Sequence, residues 1–360
     1  MKRIVVKIGT NVLEDNFGKL DYETMESLVD DISKIRKQGK DIILVTSGAI
    51  GAGMAELNMA KKPRDIKMKQ ACAAIGQSII MSKYKEFFNK NGIKVAQILI
   101  TYDDFSDRKR YLNLRNSLNT LLDLKVVPII NENDPVSINE IGPSFGDNDR
   151  LSALVASKIE ADALYILTVV DGLYDKDPKF KDAEIVKEVS DFEKINDLKG
   201  KSSSLGIGGI GSKIAAAKIA ASSGILTIIA NGKRKNIISD LINGKELGTA
   251  FYPSKKISSK KRWIKYSKPK GSIIVDDGAK KAIISGKNLL PAGIKDINGN
   301  FDRGEVVNII CNNKIFAKII ADFNADDLKA IKGKKSSEIQ KILNKKVSNI
   351  AKRENLVFME

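Results

Sequence analysis

The sequence predicts an α/β protein, in which a three-layer αβα sandwich with a mostly parallel central sheet precedes a small β-rich domain. Up to about residue 251, short runs of Val, Ile and Leu alternate with amphipathic stretches of helical period. Apolar strands separated by helices are typical of a parallel sheet covered on both faces. Beyond residue 271, short strand runs alternate with Gly and Pro turns. A length of 360 residues fits two domains of about 100–200 residues each.

The elements follow from the spacing of apolar residues along the chain. Strands are predicted at 3–8, 41–46, 95–100, 126–130, 163–168 and 225–230, with further strand runs at 271–278, 287–293 and 303–310. Helices are predicted at 22–37, 66–89, 108–122, 150–159 and 212–222. The expected divisions are a first domain at 1–251, a basic linker at 252–271, a second domain at 272–350 and a C-terminal tail at 351–360.

Composition excludes several kinds of chemistry. The chain has no histidine, which removes Ser-His and Cys-His nucleophile pairs and histidine-bound metals. Cys72 and Cys311 lie far apart without a metal-binding motif, so we expect neither a disulfide framework nor a metal site, and a reducing cytoplasm fits best. No apolar run approaches the roughly 18 residues of a membrane span, and Met1 leads directly into a strand instead of a signal peptide. We therefore expect a cytoplasmic protein without a membrane segment.

The net charge of +17 comes mostly from lysines scattered along the helices, which indicates a solvated surface. The segment 254–270 differs, because it holds eight Lys or Arg and no acid, with Trp263 and Tyr266 among them. This segment motivates an RNA-binding alternative. Two aromatic residues are few for a base-stacking platform.

A polar loop at 131–149 follows the predicted strand at 126–130 and leads into a predicted helix. It carries Asn-Glu-Asn-Asp at 131–134 and Gly-Asp-Asn-Asp at 146–149. Open α/β sheets bind ligands at such strand-to-helix loops. The other interpretation is an ordinary solvated loop, since Asn, Asp, Gly and Pro are common turn residues.

Three other segments place lysine or glycine at the same edge of the predicted sheet. Lys7 and Gly9 end the first strand, and a Gly-rich run at 47–53 follows the second. Both can bring an ammonium or backbone amides close to an anion. The other interpretations are a surface lysine at a strand end and a tight strand-to-helix turn, which needs one glycine instead of three. The run Gly-Ile-Gly-Gly-Ile-Gly-Ser-Lys at 206–213 matches neither a dinucleotide fingerprint nor a Walker A loop. It predicts a loop with Lys213 near the start of a helix, where the helix dipole favours anions.

Together these motifs resemble the amino acid kinase family, and within it the glutamate 5-kinases, over nearly the whole chain. The run Asp-Gly-Leu-Tyr-Asp-Lys-Asp-Pro at 171–178 is shared with relatives that phosphorylate aspartate or nucleotides. The runs at 46–50, 131–134 and 146–149 are narrower and are similar to the glutamate branch. Arg262-Trp263 and the run at 300–306 resemble the PUA domain of that branch.

The resemblance implies ATP-dependent phosphorylation of the γ-carboxylate of L-glutamate to L-glutamyl 5-phosphate, the first step of proline biosynthesis. ATP and Mg²⁺ are the implied cofactors, with no metal ligand assigned to the protein. Lys7 and Lys213 would neutralise the migrating phosphoryl group, and Asp149 would hold both lysines. The γ-carboxylate is already ionised at pH 7, with a pKa of about 4.3, so no general base is required. This agrees with the absence of histidine.

The resemblance also implies two binding sites. The glutamate site would consist of Ser47, Asp134 and Asn148, with Asp134 suited to the ammonium group. The residues implied for ATP are Lys7, Thr168, Val169, Ile207, Gly208, Gly209, Ile210, Gly211, Ser212 and Lys213. Three of them depart from the family: Val169 replaces the usual Asp, Ile207 the usual Thr, and Gly211 a hydroxyl residue. We expect ATP binding to rest more on backbone amides here.

Several alternatives and partners accompany this interpretation. A kinase for N-acetylglutamate or aspartate has the same fold, although an acetylated amine would not satisfy Asp134. An RNA-binding PUA protein on a kinase-like scaffold is the alternative from another class. The resemblance implies a homo-oligomer and feedback inhibition by proline at or near the glutamate site. The unstable acyl phosphate product makes a glutamyl phosphate reductase a plausible downstream partner.

Overall fold

The computed structural model describes residues 1–15, 19–137, 148–193, 195, 209–253, 256–334, 338–339, 350 and 352–359. They group into two compact units. One consists of Met1–Thr101 and Leu114–Lys256, and the other of Tyr102–Asn113 and Ile257–Glu360. The chain therefore leaves the first unit at residue 101, returns at residue 114 and leaves again after residue 256. None of the described helices is long and apolar enough to cross a membrane.

The described part of the first unit contains an eight-stranded sheet. Its strands are β1 (Arg3–Ile8), β2 (Asp41–Val45), β3 (Val95–Ile100), β4 (Val127–Glu132), β5 (Ala163–Thr168), β6 (Glu188–Val189), β7 (Leu226–Asn231) and β8 (Thr249–Phe251). Their order is β3-β4-β2-β1-β5-β7-β8-β6, and the first six are parallel. Strand β8 is antiparallel to β7. This confirms the predicted, mostly parallel sheet.

Helices cover both faces of this sheet, as parallel strands require. In the first unit they are α1 (Thr10–Leu13), α2 (Tyr22–Lys37), α3 (Ala49–Glu56), α4 (Ile66–Lys90), α7 (Asp149–Lys158), α8 (Ile210–Ala221) and α9 (Ile237–Ile242). Helix α5 (Asp103–Ser106) belongs to the second unit, and α6 (Arg108–Asp123) begins in the second unit and ends in the first. Helix α2 packs against α4 and α9, and its apolar face joins one core with β1 and β2. Helices α7 and α8 pack together and contact β1, β5 and β7. The predicted three-layer sandwich is confirmed.

The Gly-rich run at 47–53 differs from its predicted loop, because most of it is helix α3. Gly48 alone makes the turn, with φ of 94°. Gly53 instead lets α3 approach α4, since a Cβ there would lie 1.9 Å from the carbonyl oxygen of Cys72. A Cβ on Gly76 of α4 would lie 1.9 Å from the carbonyl oxygen of Ala49. Helix packing, as well as a turn, accounts for the glycines.

We expect Gly53→Ala to lower the free energy of unfolding by about 3 kcal/mol or more, because the added methyl group meets backbone atoms that have no rotamer to change. Thermal unfolding measures the effect. Gly211→Ala is the control, since nothing lies within 4 Å of a Cβ at that position of helix α8. It should be neutral, or stabilising by about 0.5–1 kcal/mol. Equal melting temperatures for the two variants would contradict the close approach of α3 and α4.

The second unit contains a five-stranded sheet of order β10-β9-β11-β12-β13 among its described residues. The strands are β9 (Gly271–Val275), β10 (Ile294–Gly299), β11 (Val306–Cys311), β12 (Lys314–Ile320) and β13 (Leu356–Phe358), and the helices are α10 (Ser259–Tyr266), α11 (Asp277–Ile284) and α12 (Ala325–Ile331). The strand predicted at 287–293 was wrong: Pro291–Gly293 is a 3₁₀ turn, and β10 begins after it. The predicted tail contains β13, an apolar strand that pairs antiparallel with β12.

The basic segment predicted as a linker contains helix α10, which Ser258 caps by accepting the N–H of Lys261. Trp263 is buried, and the Arg108 guanidinium lies 5.2 Å from the centre of its ring. The hydroxyl of Tyr102 donates to the carbonyl of Tyr266. All of these residues belong to the second unit. Trp263 packs inside the protein, so it offers no exposed face on which a base could stack.

Candidate active site

A cavity of about 1840 Å³ lies at the carboxyl ends of the parallel strands of the first unit. Its walls include the residues that follow β1, β2, β4 and β5, the residue before α7 and the first turn of α8. The sequence predicted ligand binding at this edge because strand-to-helix loops meet there. The predicted residues that line the cavity are Ser47, Asp134, Asn148, Thr168, Val169, Gly209, Ile210 and Lys213.

Two buried lysines share one buried carboxylate beside this cavity. The ammonium of Lys7 lies 2.8 Å from Oδ1 of Asp149, and the ammonium of Lys213 lies 3.1 Å from Oδ2. Lys7 and Asp149 are fully buried, and Lys213 is 4% exposed. Among the described residues of this cluster, two ammonium groups share a single carboxylate. The cluster therefore favours an anion at the cavity.

Local structure explains how these three side chains meet. Lys7 is on the central strand β1, where its neighbours in register are Val45 of β2 and Ile166 of β5. Asp149 is the first residue of α7, where the helix dipole favours a carboxylate. Lys213 is in the first turn of α8, so its backbone N–H groups and its ammonium are at one helix N-terminus. Such a terminus is suited to phosphate binding.

Ser212 adds a hydrogen bond to the same carboxylate. Its hydroxyl lies 2.7 Å from Oδ2 of Asp149 and 2.6 Å from the carbonyl oxygen of Gly209. The sequence assigned Ser212 to nucleotide binding, whereas in the structure its hydroxyl contacts the residue that holds the lysines. Gly9 leaves room beside the cluster, because a Cβ at this position would lie 3.6 Å from the Lys7 ammonium and 3.1 Å from the carbonyl oxygen of Leu167.

Asn148 lies between the lysine cluster and the end of β2. Its φ of 48° is in the left-handed region, which a short polar side chain tolerates. Its Nδ2 donates to the carbonyl oxygen of Thr46 at 2.6 Å and to Oδ1 of Asn131 at 2.7 Å, with the hydroxyl of Ser47 at 3.4 Å. These bonds bring Ser47 and Asn148 together, although they come from distant parts of the sequence.

Two carboxyl groups line the cavity where β4 ends, those of Glu132 and Asp134. Asp134 begins a 3₁₀ turn, and burial raises its pKa. Burial also raises the pKa of Glu132 to about 7, although a hydrogen bond from Ser137, at 2.9 Å, acts in the other direction. Glu132 was not among the predicted site residues. The motif at 131–134 contains it, but its burial depends on tertiary packing that sequence patterns do not encode.

The raised pKa of Glu132 makes stability depend on pH. The folded chain keeps a proton that an unfolded Glu releases near pH 4.3, so the free energy of unfolding falls as the pH rises from about 4 to about 7. We expect Glu132→Gln to raise the melting temperature at pH 8.5 but not at pH 5, because only the ionised form suffers from desolvation. The exposed Glu246→Gln is the control. An equal effect of Glu132→Gln at both pH values would contradict the shift.

The structure describes most, but not all, of the residues predicted to bind the nucleotide. Ile207 and Gly208 lie outside the described residues. Val169 follows β5 and is 42% exposed on the cavity wall, where the resemblance implies an Asp. Gly211 has open space around a built Cβ, so packing does not exclude the hydroxyl residue usual there. Among the residues the structure describes, no group of three or more acidic, Cys or His side chains could hold a metal ion.

Comparison with known proteins identifies relatives of both units. Residues 2–231 match the amino acid kinase family, and residues 271–343 match the PUA domain. The chain is 47% identical over 373 residues to glutamate 5-kinase of Methanosarcina barkeri, which covers all of this chain and 97% of that protein. It is 47% identical over 366 residues to glutamate 5-kinase of a Thermoanaerobacter species, which covers 99% of this chain and 98% of that protein.

A solved structure supports the fold of the first unit. Carbamate kinase from Giardia lamblia, bound to AMP-PNP, superposes with a TM-score of 0.53 at 20% identity. The match covers 70% of this chain and 99% of that chain. At this identity the likeness concerns the fold alone.

Proposed function

Because the chain belongs to the amino acid kinase family, and within it to the glutamate 5-kinases, we propose that it transfers the γ-phosphoryl group of ATP to the γ-carboxylate of L-glutamate. The product is L-glutamyl 5-phosphate, the first intermediate of proline biosynthesis. The observation that carries the proposal is the buried Lys7–Asp149–Lys213 cluster, which lies beside a cavity containing Asp134 and Asn148.

The chemistry needs positioning and charge neutralisation more than proton transfer. The γ-carboxylate is an ionised nucleophile at pH 7, so no general base is required. Lys213 and the first N–H groups of α8 would bind the transferred phosphoryl group, while Lys7 balances the charge that spreads over its oxygens. Asp149 holds both ammonium groups in place before the substrates arrive, so the site needs little reorganisation when it reacts.

The substrate's ammonium group would lie against the part of the cavity that Asp134 and Asn148 line. Asp134 supplies a carboxylate there, Asn148 supplies a carboxamide, and Ser47 lies beside Asn148. An acetylated amine has no charge to satisfy Asp134, which disfavours N-acetylglutamate. The RNA-binding alternative is not favoured either, because the tryptophan of the basic segment is buried.

ATP use follows from the kinase relatives, and Mg²⁺ is part of the proposal. In this proposal Mg²⁺ is carried by the nucleotide phosphates, which is how Mg²⁺ is usually bound in kinase sites. Bound in that way, Mg²⁺ would neutralise phosphate charge. We also propose a cytoplasmic homo-oligomer, feedback inhibition by proline near the glutamate site, and a glutamyl phosphate reductase as downstream partner.

Hydroxamate formation tests the proposal directly, because hydroxylamine traps an acyl phosphate. The full chain is incubated with ATP, Mg²⁺ and hydroxylamine, and glutamate is compared with N-acetylglutamate and aspartate. We expect hydroxamate with glutamate alone. Turnover of N-acetylglutamate or aspartate in preference to glutamate would overturn the substrate assignment, and no turnover of any of them would overturn the proposed activity.

A further inference from the structure

A chain of three buried carboxamides runs from helix α4 to the cavity. Oε1 of Gln77 accepts a hydrogen bond from Nδ2 of Asn131 at 2.7 Å, and Oδ1 of Asn131 accepts one from Nδ2 of Asn148 at 2.7 Å. The exposed fractions are 8% for Gln77, 3% for Asn131 and 8% for Asn148. Asn131 and Asn148 line the cavity, whereas Gln77 is behind its wall.

The hydrogen bonds between the three carboxamides both run in one direction, from Asn148 to Asn131 and from Asn131 to Gln77. The backbone N–H of Glu132 donates to Oδ1 of Asn131 at 2.9 Å, so that oxygen has to face the end of β4. Its amide nitrogen then faces α4, where Gln77 supplies the acceptor. At the far end, both hydrogens of the Asn148 amide are used, by Asn131 and by the carbonyl oxygen of Thr46. The amide nitrogens of Asn131 and Asn148 therefore each donate toward fixed acceptors.

One acceptor remains at the cavity end of the chain. In the described part of the protein, Oδ1 of Asn148 has no hydrogen-bond partner, and Asn148 lines the cavity. A carboxamide oxygen accepts hydrogen bonds and does not donate them. This end of the cavity therefore selects a ligand group that carries N–H, such as an ammonium, instead of a second carboxylate.

We propose that Gln77 is a positioning residue that fixes the direction of the Asn131 and Asn148 carboxamides, so that Asn148 presents its oxygen to the substrate's ammonium group. The proposal rests on the proposed function, because the ammonium is that of glutamate. Without the acceptor on Gln77, Nδ2 of Asn131 is a buried donor without a partner, and such a group is costly. Asn131 and Asn148 then depend for their orientation on the N–H of Glu132 and the carbonyl oxygen of Thr46.

The atom that Gln77 uses gives a rescue experiment. Only its Oε1 is engaged, because Nε2 is buried without a partner among the described residues. Gln77→Glu keeps an acceptor at that position, whereas Gln77→Met keeps the length of the side chain and removes the acceptor. Steady-state hydroxamate formation gives kcat and KM for glutamate in the parent and in both variants. Competition with glutarate, which lacks the ammonium group, gives a second binding constant.

We expect Gln77→Met to raise the KM for glutamate about tenfold, with kcat and the affinity for AMP-PNP within about twofold of the parent and the inhibition constant of glutarate little changed. Gln77→Glu should restore the KM to within about threefold of the parent. The control is Ser157→Ala, which removes a buried hydrogen bond with Ser223 near the end of helix α7. This bond involves none of the three carboxamides, so the KM should be unchanged.

Each result bears on a separate claim. An unchanged KM in a folded Gln77→Met variant overturns the positioning role, and so does an equal loss of glutamate and glutarate binding, which indicates a general distortion. If Gln77→Met does not fold, a tenfold higher KM in Gln77→Glu overturns the proposal, because an acceptor is still present. A parent chain that forms no hydroxamate with glutamate overturns the proposed function, and the role of Gln77 falls with it.

Discussion

Replacing Lys213 with Ala should lower kcat by about 10³-fold or more while changing the KM for glutamate by less than about threefold. Lys213 lies in the first turn of helix α8 and is almost fully buried, so its ammonium acts where water screens charge poorly. Negative charge shifts among the phosphoryl oxygens only in the transition state. The lost interaction should therefore appear in kcat. Initial rates of hydroxamate formation over a range of glutamate concentrations measure both constants.

Lys218 supplies the matched control, because it is an exposed lysine on the same helix. Lys218→Ala removes the same charge outside the cavity and should leave both constants near those of the parent. Lys213→Arg keeps the charge but replaces a compact ammonium with a planar group, so it should recover only part of the rate. A Lys213→Ala variant with normal kcat and a raised KM would assign the lysine to substrate binding alone.

Replacing Asp149 with Asn should destabilise the protein by about 3–5 kcal/mol, because it leaves two buried ammonium groups without their shared carboxylate. For a unit of this size we expect the melting temperature to fall by about 10 °C, and activity to fall with it. Thermal unfolding at neutral pH gives the loss of stability. Asp123→Asn removes an exposed acid at the end of α6 and should have little effect.

A second substitution separates charge repulsion from loss of geometry. In the double variant Lys7→Met/Asp149→Asn, one of the two ammonium groups that shared the carboxylate is gone, so part of the lost melting temperature should return. Activity should not return, because the double variant also lacks a lysine of the site. If the double variant is less stable than Asp149→Asn alone, charge repulsion is not the cause of the destabilisation.

The sequence predicted the layers and most strands because buried parallel strands are continuous apolar runs. β1, β3 and β5 begin and end where the pattern predicted. Helix α3 was missed because its glycines were interpreted as a ligand loop, whereas Gly53 and Gly76 allow two helices to touch. Helix α10 was missed because its segment is rich in Lys and Arg and was therefore interpreted as a basic linker. Trp263, which is buried, lies within this helix.

The candidate site was predicted in part from motifs and in part from resemblance. The structure brings Lys7, Asp149 and Lys213 within ion-pair distance, although they are far apart in sequence. Gln77 carried no motif, because its contribution depends on a hydrogen bond across 54 positions of the chain. The pKa of Glu132 likewise depends on what surrounds it. Contacts between distant residues decide both, and local patterns contain no information about them.

The double crossing of the chain between the two units has a consequence for synthesis on the ribosome. Tyr102–Asn113 leaves the ribosome early, yet Phe105 and Tyr111 are buried in a unit whose other residues begin at Ile257. At about 5–20 residues per second, this segment waits on the order of ten seconds for its partners. During that time we expect its apolar side chains to lack the partners that follow Ile257. The nascent chain is therefore most open to chaperone binding, and to aggregation, before Trp263 has been synthesised.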